Sequence, residues 1–114
     1  LPRYLRNLDA VRRNLDGLTL VRASIDEVEG RFDGFYLSDI FEYVDPATTA
    51  AIYERLLDAA NPGARFAYWN LLVPRRVPEA LASRVNELRS EAEELFARDL
   101  AFFYSAFVLE EVKR

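Results

Sequence analysis

The sequence predicts an α/β domain, a mostly parallel sheet with helices on both faces, and three observations carry this. Apolar residues recur at helical spacing in some segments and gather into short aromatic or β-branched runs in others, and the two kinds alternate. Strands separated by helices cannot pair as tight hairpins, so they need crossovers, which implies parallel pairing. Phe35–Leu37 is apolar throughout, as suits a strand covered on both faces. The chain of 114 residues, 51% hydrophobic and 30% charged, is enough for a single globular domain with one core.

The elements follow in order. Tyr4, Leu8, Val11 and Leu15 form one apolar helical stripe. Pro2 suits the first turn and Asp16–Gly17 stops the helix. Leu18–Ala23 reads as a strand. Ser24 with Glu27 is a capping box opening a brief turn before Gly30. Phe35–Leu37 is the second strand, ended by Ser38–Asp39, and Ile40–Val44 is either a helical turn or a loop. Asp45–Pro46 starts a helix whose face carries Ile52, Leu56 and Ala60, and Asn61–Pro62–Gly63 stops it. Arg65–Val73 is the third strand, followed by a loop from Arg75 to Pro78. Leu81, Val85, Leu88, Ala92 and Leu95 predict one long helix from Glu79 to near Leu100, with its outer charges solvated. Phe102–Val112 is a strand or hairpin arm.

Composition excludes several chemistries. There is no cysteine and no histidine, so thiol nucleophiles, disulfides and thiolate or imidazole zinc sites are out, and no metal is expected. A general base must then be a carboxylate, a tyrosine or a group outside the chain. The net charge of −4 argues against a nucleic-acid partner held by overall charge. No apolar run approaches the ~20 residues that span a bilayer, and no signal peptide opens the chain, so a cytoplasmic protein is expected. The four glycines, at 17, 30, 34 and 63, form neither a dinucleotide nor a triphosphate loop. The chain starts with leucine and has no methionine, which suggests a piece of a longer protein.

Ligands of open parallel sheets bind beyond the carboxyl ends of the strands. Those ends are predicted at Ala23–Ile25, Ser38–Tyr43 and Asn70–Arg76, along one rim. The middle segment holds Ser38, Asp39, Glu42 and Tyr43. A helical turn would set Asp39 and Glu42 on one side, where paired carboxylates can divide acid and base roles. The alternative is that Asp39 caps the turn and Glu42 is solvated. Trp69–Asn70 is a second candidate, with Asn70 offering donor and acceptor, or else a core Trp beside a capping Asn. Arg75 and Arg76 are either a clamp for a carboxylate or anionic headgroup, or solvated loop. Phe102–Tyr104 is either a lid or core.

Residues 32–43, Phe-Asp-Gly-Phe-Tyr-Leu-Ser-Asp-Ile-Phe-Glu-Tyr, resemble the fourth-strand motif of class I S-adenosylmethionine-dependent transferases. Residues 62–70, Pro-Gly-Ala-Arg-Phe-Ala-Tyr-Trp-Asn, resemble the fifth strand. Together with residues 68–75 and 103–107, the chain resembles the S-adenosylmethionine:diacylglycerol 3-amino-3-carboxypropyltransferase family of betaine-lipid synthesis. The resemblance runs from about Leu18 onward. It implies the later half of a Rossmann-like methyltransferase fold. It also implies transfer of the aminocarboxypropyl group from S-adenosylmethionine to a diacylglycerol hydroxyl. Asp39 or Glu42 would be the base. Ser24 and Ile25 match the adenine-contacting positions, although the acidic residue usual there is absent; Asp26 comes two positions late. Ser38 and Tyr43 would join the cofactor site, and Asn70, Arg75 and Tyr104 the substrate side. The acceptor would be a lipid or other hydroxyl-bearing small molecule, with peripheral membrane contact as an open option. The family's glycine-rich loop lies N-terminal to Leu1. The resemblance therefore implies that the missing N-terminal half, or a second chain, completes the site. Without it, an uncovered sheet edge and weak cofactor binding are expected. Two other functions stay open: a methyltransferase, and a non-catalytic interaction module.

Overall fold

A computed structural model describes residues 2–114. Helix α1 spans Pro2–Arg13, as the stripe predicts, but none of its residues is buried, and Tyr4, Leu5 and Val11 stay exposed. After a 3₁₀ turn at Leu15–Gly17, the residues Leu18–Ala23 form no strand. The β propensity there is overridden because a strand needs a hydrogen-bonding neighbour, and this exposed segment has none among the described residues. Ser24 does open a 3₁₀ turn at Ile25–Glu27, with its N–H donating to the Glu27 carboxylate at 2.9 Å.

Strand β1 (Phe32–Tyr36) leads through a 3₁₀ turn at Ile40–Tyr43 to α2 (Pro46–Asp58) and then β2 (Ala60–Asn70). Asp45 caps α2, accepting from the Thr48 N–H at 2.9 Å and the Thr48 hydroxyl at 2.7 Å. This is a crossover unit, and β1 and β2 are parallel. Strand β2 begins earlier than the sequence suggests. The helix already ends at Asp58, so Ala60 belongs to the strand and not to the helix face, and Asn61–Pro62–Gly63 lies within the strand as an irregularity where Gly63 takes φ +83°.

The predicted helix from Glu79 to Leu100 is not formed as one piece. It divides into a 3₁₀ turn at Glu79–Arg84, strand β3 (Val85–Glu87) and α3 (Arg89–Ala97). The last strand, β4 (Ala106–Val112), runs antiparallel to β2 and would otherwise show a bare edge. Strand β3 covers it, pairing Val85 with Val112, Asn86 with Glu111 and Glu87 with Glu110. Edge pairing therefore overrides the helical period of Leu81 and Val85.

The sheet order is β1-β2-β4-β3, with one parallel pair and two antiparallel pairs, so the expectation of a mostly parallel sheet is corrected. The cause is the connection before β4. Ser105 donates its N–H to the Asn70 carbonyl at 2.8 Å, so β4 starts where β2 ends and runs back beside it. By the pairings, β1, β2 and β3 all point their carboxyl ends the same way.

Helices do cover both faces. On one, Tyr53, Leu56 and Leu57 of α2 pack against Phe66, Tyr68 and Val108. Buried Glu110 lies among them, accepting from the Tyr53 hydroxyl and, at 3.1 Å, the Tyr68 hydroxyl. On the opposite face, α3 buries Ala92, and Arg65 bonds Glu91 at 2.8 Å. Among the described residues, no helix is long and apolar enough to cross a membrane.

Candidate functional site

The rim formed by the ends of β1 and β2 and the start of β4 holds the densest polar and aromatic cluster. Strand β1 hydrogen bonds past its last residue: Leu37 donates to Ala67 at 2.9 Å, and the Ser38 carbonyl accepts from Trp69 at 2.8 Å. That pairing carries Ser38 to the strand tip. Ser38 has φ +52°, a left-handed conformation that disfavours a side chain and collects at functional turns. The Ser38 hydroxyl donates to Asp39 Oδ1 at 3.1 Å, and the Tyr43 hydroxyl reaches Asp39 Oδ2 at 3.5 Å. Asp39 is half-buried and in no ion pair among the described residues, so its carboxylate keeps lone pairs free for a further donor.

Tyr104 joins this group from the β4 side. Burial is the main cause pushing its phenol above the ordinary value, with the Asp39 charge adding to it and a hydrogen bond to Ser38 opposing. Its ring lies 5.9 Å from Trp69, and Trp69 lies 5.1 Å from Tyr36, which is 76% exposed. The Trp69 indole N–H donates to Asp99 at 2.8 Å. Asp99 also accepts from the Ala101 N–H at 2.9 Å, and this bond first, then the one from Trp69, holds its carboxyl below the usual range. Ser38, Asp39, Tyr43 and Trp69 thus gather at the carboxyl ends of the parallel pair β1 and β2, and Tyr104 joins them from the segment ahead of the antiparallel β4.

Glu42 and Arg75 occupy the same rim but are bound into the scaffold. The Glu42 carboxylate accepts from the backbone N–H of Leu71 at 2.7 Å, of Leu72 at 3.2 Å and of Val73 at 3.1 Å. Burial acts to raise its pKa, but these backbone donors outweigh it and hold the carboxyl below its ordinary value. Arg75 donates to the carbonyls of Phe41 at 3.2 Å and Val44 at 2.8 Å. The two side chains staple the turn after β1 to the loop after β2. Asn70 is buried, not at the surface of the rim: its amide donates to the Arg75 carbonyl at 2.8 Å, and its Oδ1 has no partner.

Ser24 and Ile25 are not brought to this rim. Their turn packs beside the C-terminal half of α2, where Arg55 donates to the Asp26 carbonyl at 3.2 Å. The Ser24 hydroxyl bonds Asp26 within the same turn. Ile25 instead lines an apolar groove of about 200 Å³ beside β1, with Val28, Phe32, Phe35 and Leu56, which extends to Tyr36 and Leu37 at the end of the strand. Two residues of the cluster escaped sequence reasoning. Tyr36 carries a signal, since strand alternation sets it opposite the core residue Phe35. Asp99 carries none, because its partner Trp69 is distant in sequence. Among the described residues, no cluster of acidic side chains could hold a metal ion.

The arrangement offers one partly free carboxylate, three phenols and an indole around a strained strand tip. It can accept a proton from a hydroxyl, and its ring faces with the carboxylate suit an organic cation. Compared with known proteins, the chain matches no family model and no curated sequence.

Proposed function

We propose that this chain is part of an S-adenosylmethionine-dependent transferase that moves the 3-amino-3-carboxypropyl group onto a diacylglycerol hydroxyl, with Asp39 as the base. The observation that carries the reading is the half-buried Asp39 carboxylate at the strained tip of β1, bonded only to hydroxyl groups and near enough to Tyr104 for its charge to act on that phenol. The parallel β1-α2-β2 unit further supports reading the domain as the later half of a Rossmann-like fold.

The side chains that would hold a sulfonium are the exposed Tyr36, Trp69 beside it and the Asp39 carboxylate. Tyr36 and Trp69 offer ring faces and Asp39 a negative charge, with Trp69 held in place by Asp99. When bound, S-adenosylmethionine would supply the γ-carbon and the leaving sulfur, the carbon–sulfur electron pair departing with methylthioadenosine as the acceptor oxygen bonds to that carbon. Asp39 accepts the proton that the hydroxyl releases. Ser38 and Tyr43 donate to Asp39 and keep it oriented, and loss of either leaves the base free to rotate. Glu42 and Arg75 act as staples that set the separation of the two strand tips, which matters because small misplacements of reacting groups are costly.

The test is the nucleoside product formed by the intact protein from S-adenosylmethionine and diacylglycerol. Methylthioadenosine supports the reading. S-adenosylhomocysteine alone would make the protein a methyltransferase, and failure to bind S-adenosylmethionine would leave an interaction module.

A further inference from the structure

Helix α1 and the segment after it form an arm whose apolar side chains are left uncovered. No residue of Pro2–Arg13 is buried, and Tyr4, Leu5 and Val11 are 56%, 59% and 44% exposed. Leu15, Leu18, Leu20 and Val21 are exposed too. At 12 residues, α1 has the length at which isolated helices are marginal in water, so its apolar stripe needs a cover. The arm is also basic. Arg3, Arg6, Arg12 and Arg13 stand against the single Asp9, and at helical spacing Arg3 and Arg12 flank the stripe of Tyr4, Leu8 and Val11. None of these arginines is in an ion pair among the described residues.

The groove beside β1 has the complementary character. Its lining is apolar, with Ile25, Val28, Phe32, Phe35 and Leu56, and none of it comes from residues 2–23 of the same chain. The segment that forms one wall, residues 25–29, bears Asp26, Glu27 and Glu29, none in an ion pair among the described residues. The chain as a whole is at −4 although its arm is basic, so the body is more acidic still. We propose that this groove receives helix α1 of a second copy of the chain, the two copies exchanging arms. The apolar stripe meets the apolar lining, and the flanking arginines meet the acidic wall. A two-fold partner repeats the contact, so two helix–groove contacts form together where one would bury little area. Exchange covers both the helix and the groove, whereas a bilayer or an acidic polymer bound through α1 would leave the groove open.

This goes beyond the transferase reading, because arm exchange requires neither S-adenosylmethionine nor turnover. The experiment is sedimentation velocity of the protein from about 1 to 100 μM, where a reversible monomer–dimer equilibrium should appear. The arm variant Leu8→Glu, Val11→Glu should dimerise about tenfold or more weakly. Its near-ultraviolet circular dichroism should be unchanged, because α1 contributes nothing to the core. The groove variant Val28→Arg should be weakened likewise. Mixed together, the two variants regain one intact arm facing one intact groove, so the mixture should associate more tightly than either alone. Wild-type protein that stays monomeric throughout would overturn the proposal, whether its arm folds onto its own groove or binds anionic vesicles instead. So would an arm variant that dimerises like wild type, or a mixture that associates no better than its components. A monomer that releases methylthioadenosine would lose this inference alone. A dimer that fails to bind S-adenosylmethionine would lose the transferase reading alone.

Discussion

Glu42 Oε1 accepts the Leu71 N–H at 2.7 Å, joining the turn after β1 to the loop after β2. With Leu72 and Val73 as further donors, the carboxylate has little capacity left for a substrate proton. Replacing Glu42 with Gln should therefore act mainly on stability, at about 1–2 kcal/mol for charge-assisted bonds discounted for partial exposure. Its folded pKa lies below the ordinary value, so the charged form is favoured by folding. That contribution is present above the unfolded value and is lost as pH falls through the folded one. Thermal melts from neutral to acidic pH should show wild type and Glu42→Gln converging in acid. A constant gap across the series would count against the anionic clamp.

Glu110 should behave in the opposite sense. Burial raises its pKa against the bonds from Tyr53 and Tyr68, so the folded state favours the protonated form. Its charging therefore costs stability as pH rises from the ordinary carboxyl value through the folded one. Glu110→Gln keeps an acceptor for the tyrosine hydroxyls and removes that dependence. Glu110→Leu strands both hydroxyls and should cost about 1–3 kcal/mol for each buried donor left unpaired. Denaturant unfolding of the two variants at several pH values distinguishes these effects. Equal stability of Gln and Leu variants would show that the hydroxyl bonds contribute nothing.

Asp45 caps α2 through Thr48, and the bond from the Thr48 N–H, followed by that from its hydroxyl, holds the carboxyl below its usual value. Asp45→Ala should lower stability by about 1 kcal/mol. Because α2 connects the two strands that carry the rim, the variant should lose stability without losing the fold. Circular dichroism melts check this, and an unchanged midpoint would contradict the cap's role.

Local signals in the sequence read well where they were self-contained. Pro2, the Ser24–Glu27 box and Asp45–Pro46 each mark a real boundary, because caps and breakers act on neighbouring residues, whereas the stop expected at Asn61–Gly63 falls inside β2, after the helix has ended at Asp58. Long-range pairing was less legible. Leu81 and Val85 have a helical spacing, yet Val85 pairs with Val112, and nothing near Val85 announces that partner. Leu18–Ala23 has strand composition but no neighbouring strand to make it one. At the rim, the residue types Ser38, Asp39, Tyr43 and Tyr104 were readable and are close in space. The division of labour between Asp39 and Glu42 was not, since it depends on where the N–H groups of residues 71–73 point. The end of the predicted third strand puts Asn70 at the rim, but its position on the inward-facing side of β2 buries it.

The sharpest test of the account compares methylthioadenosine release by the intact wild-type protein and by Asp39→Asn, with diacylglycerol and S-adenosylmethionine supplied. Wild type should release it, and the variant should be slower by about 10²-fold or more while still binding S-adenosylmethionine. Equal rates in the two proteins, or S-adenosylhomocysteine as the sole nucleoside product, would contradict the assignment of Asp39 as the base for aminocarboxypropyl transfer.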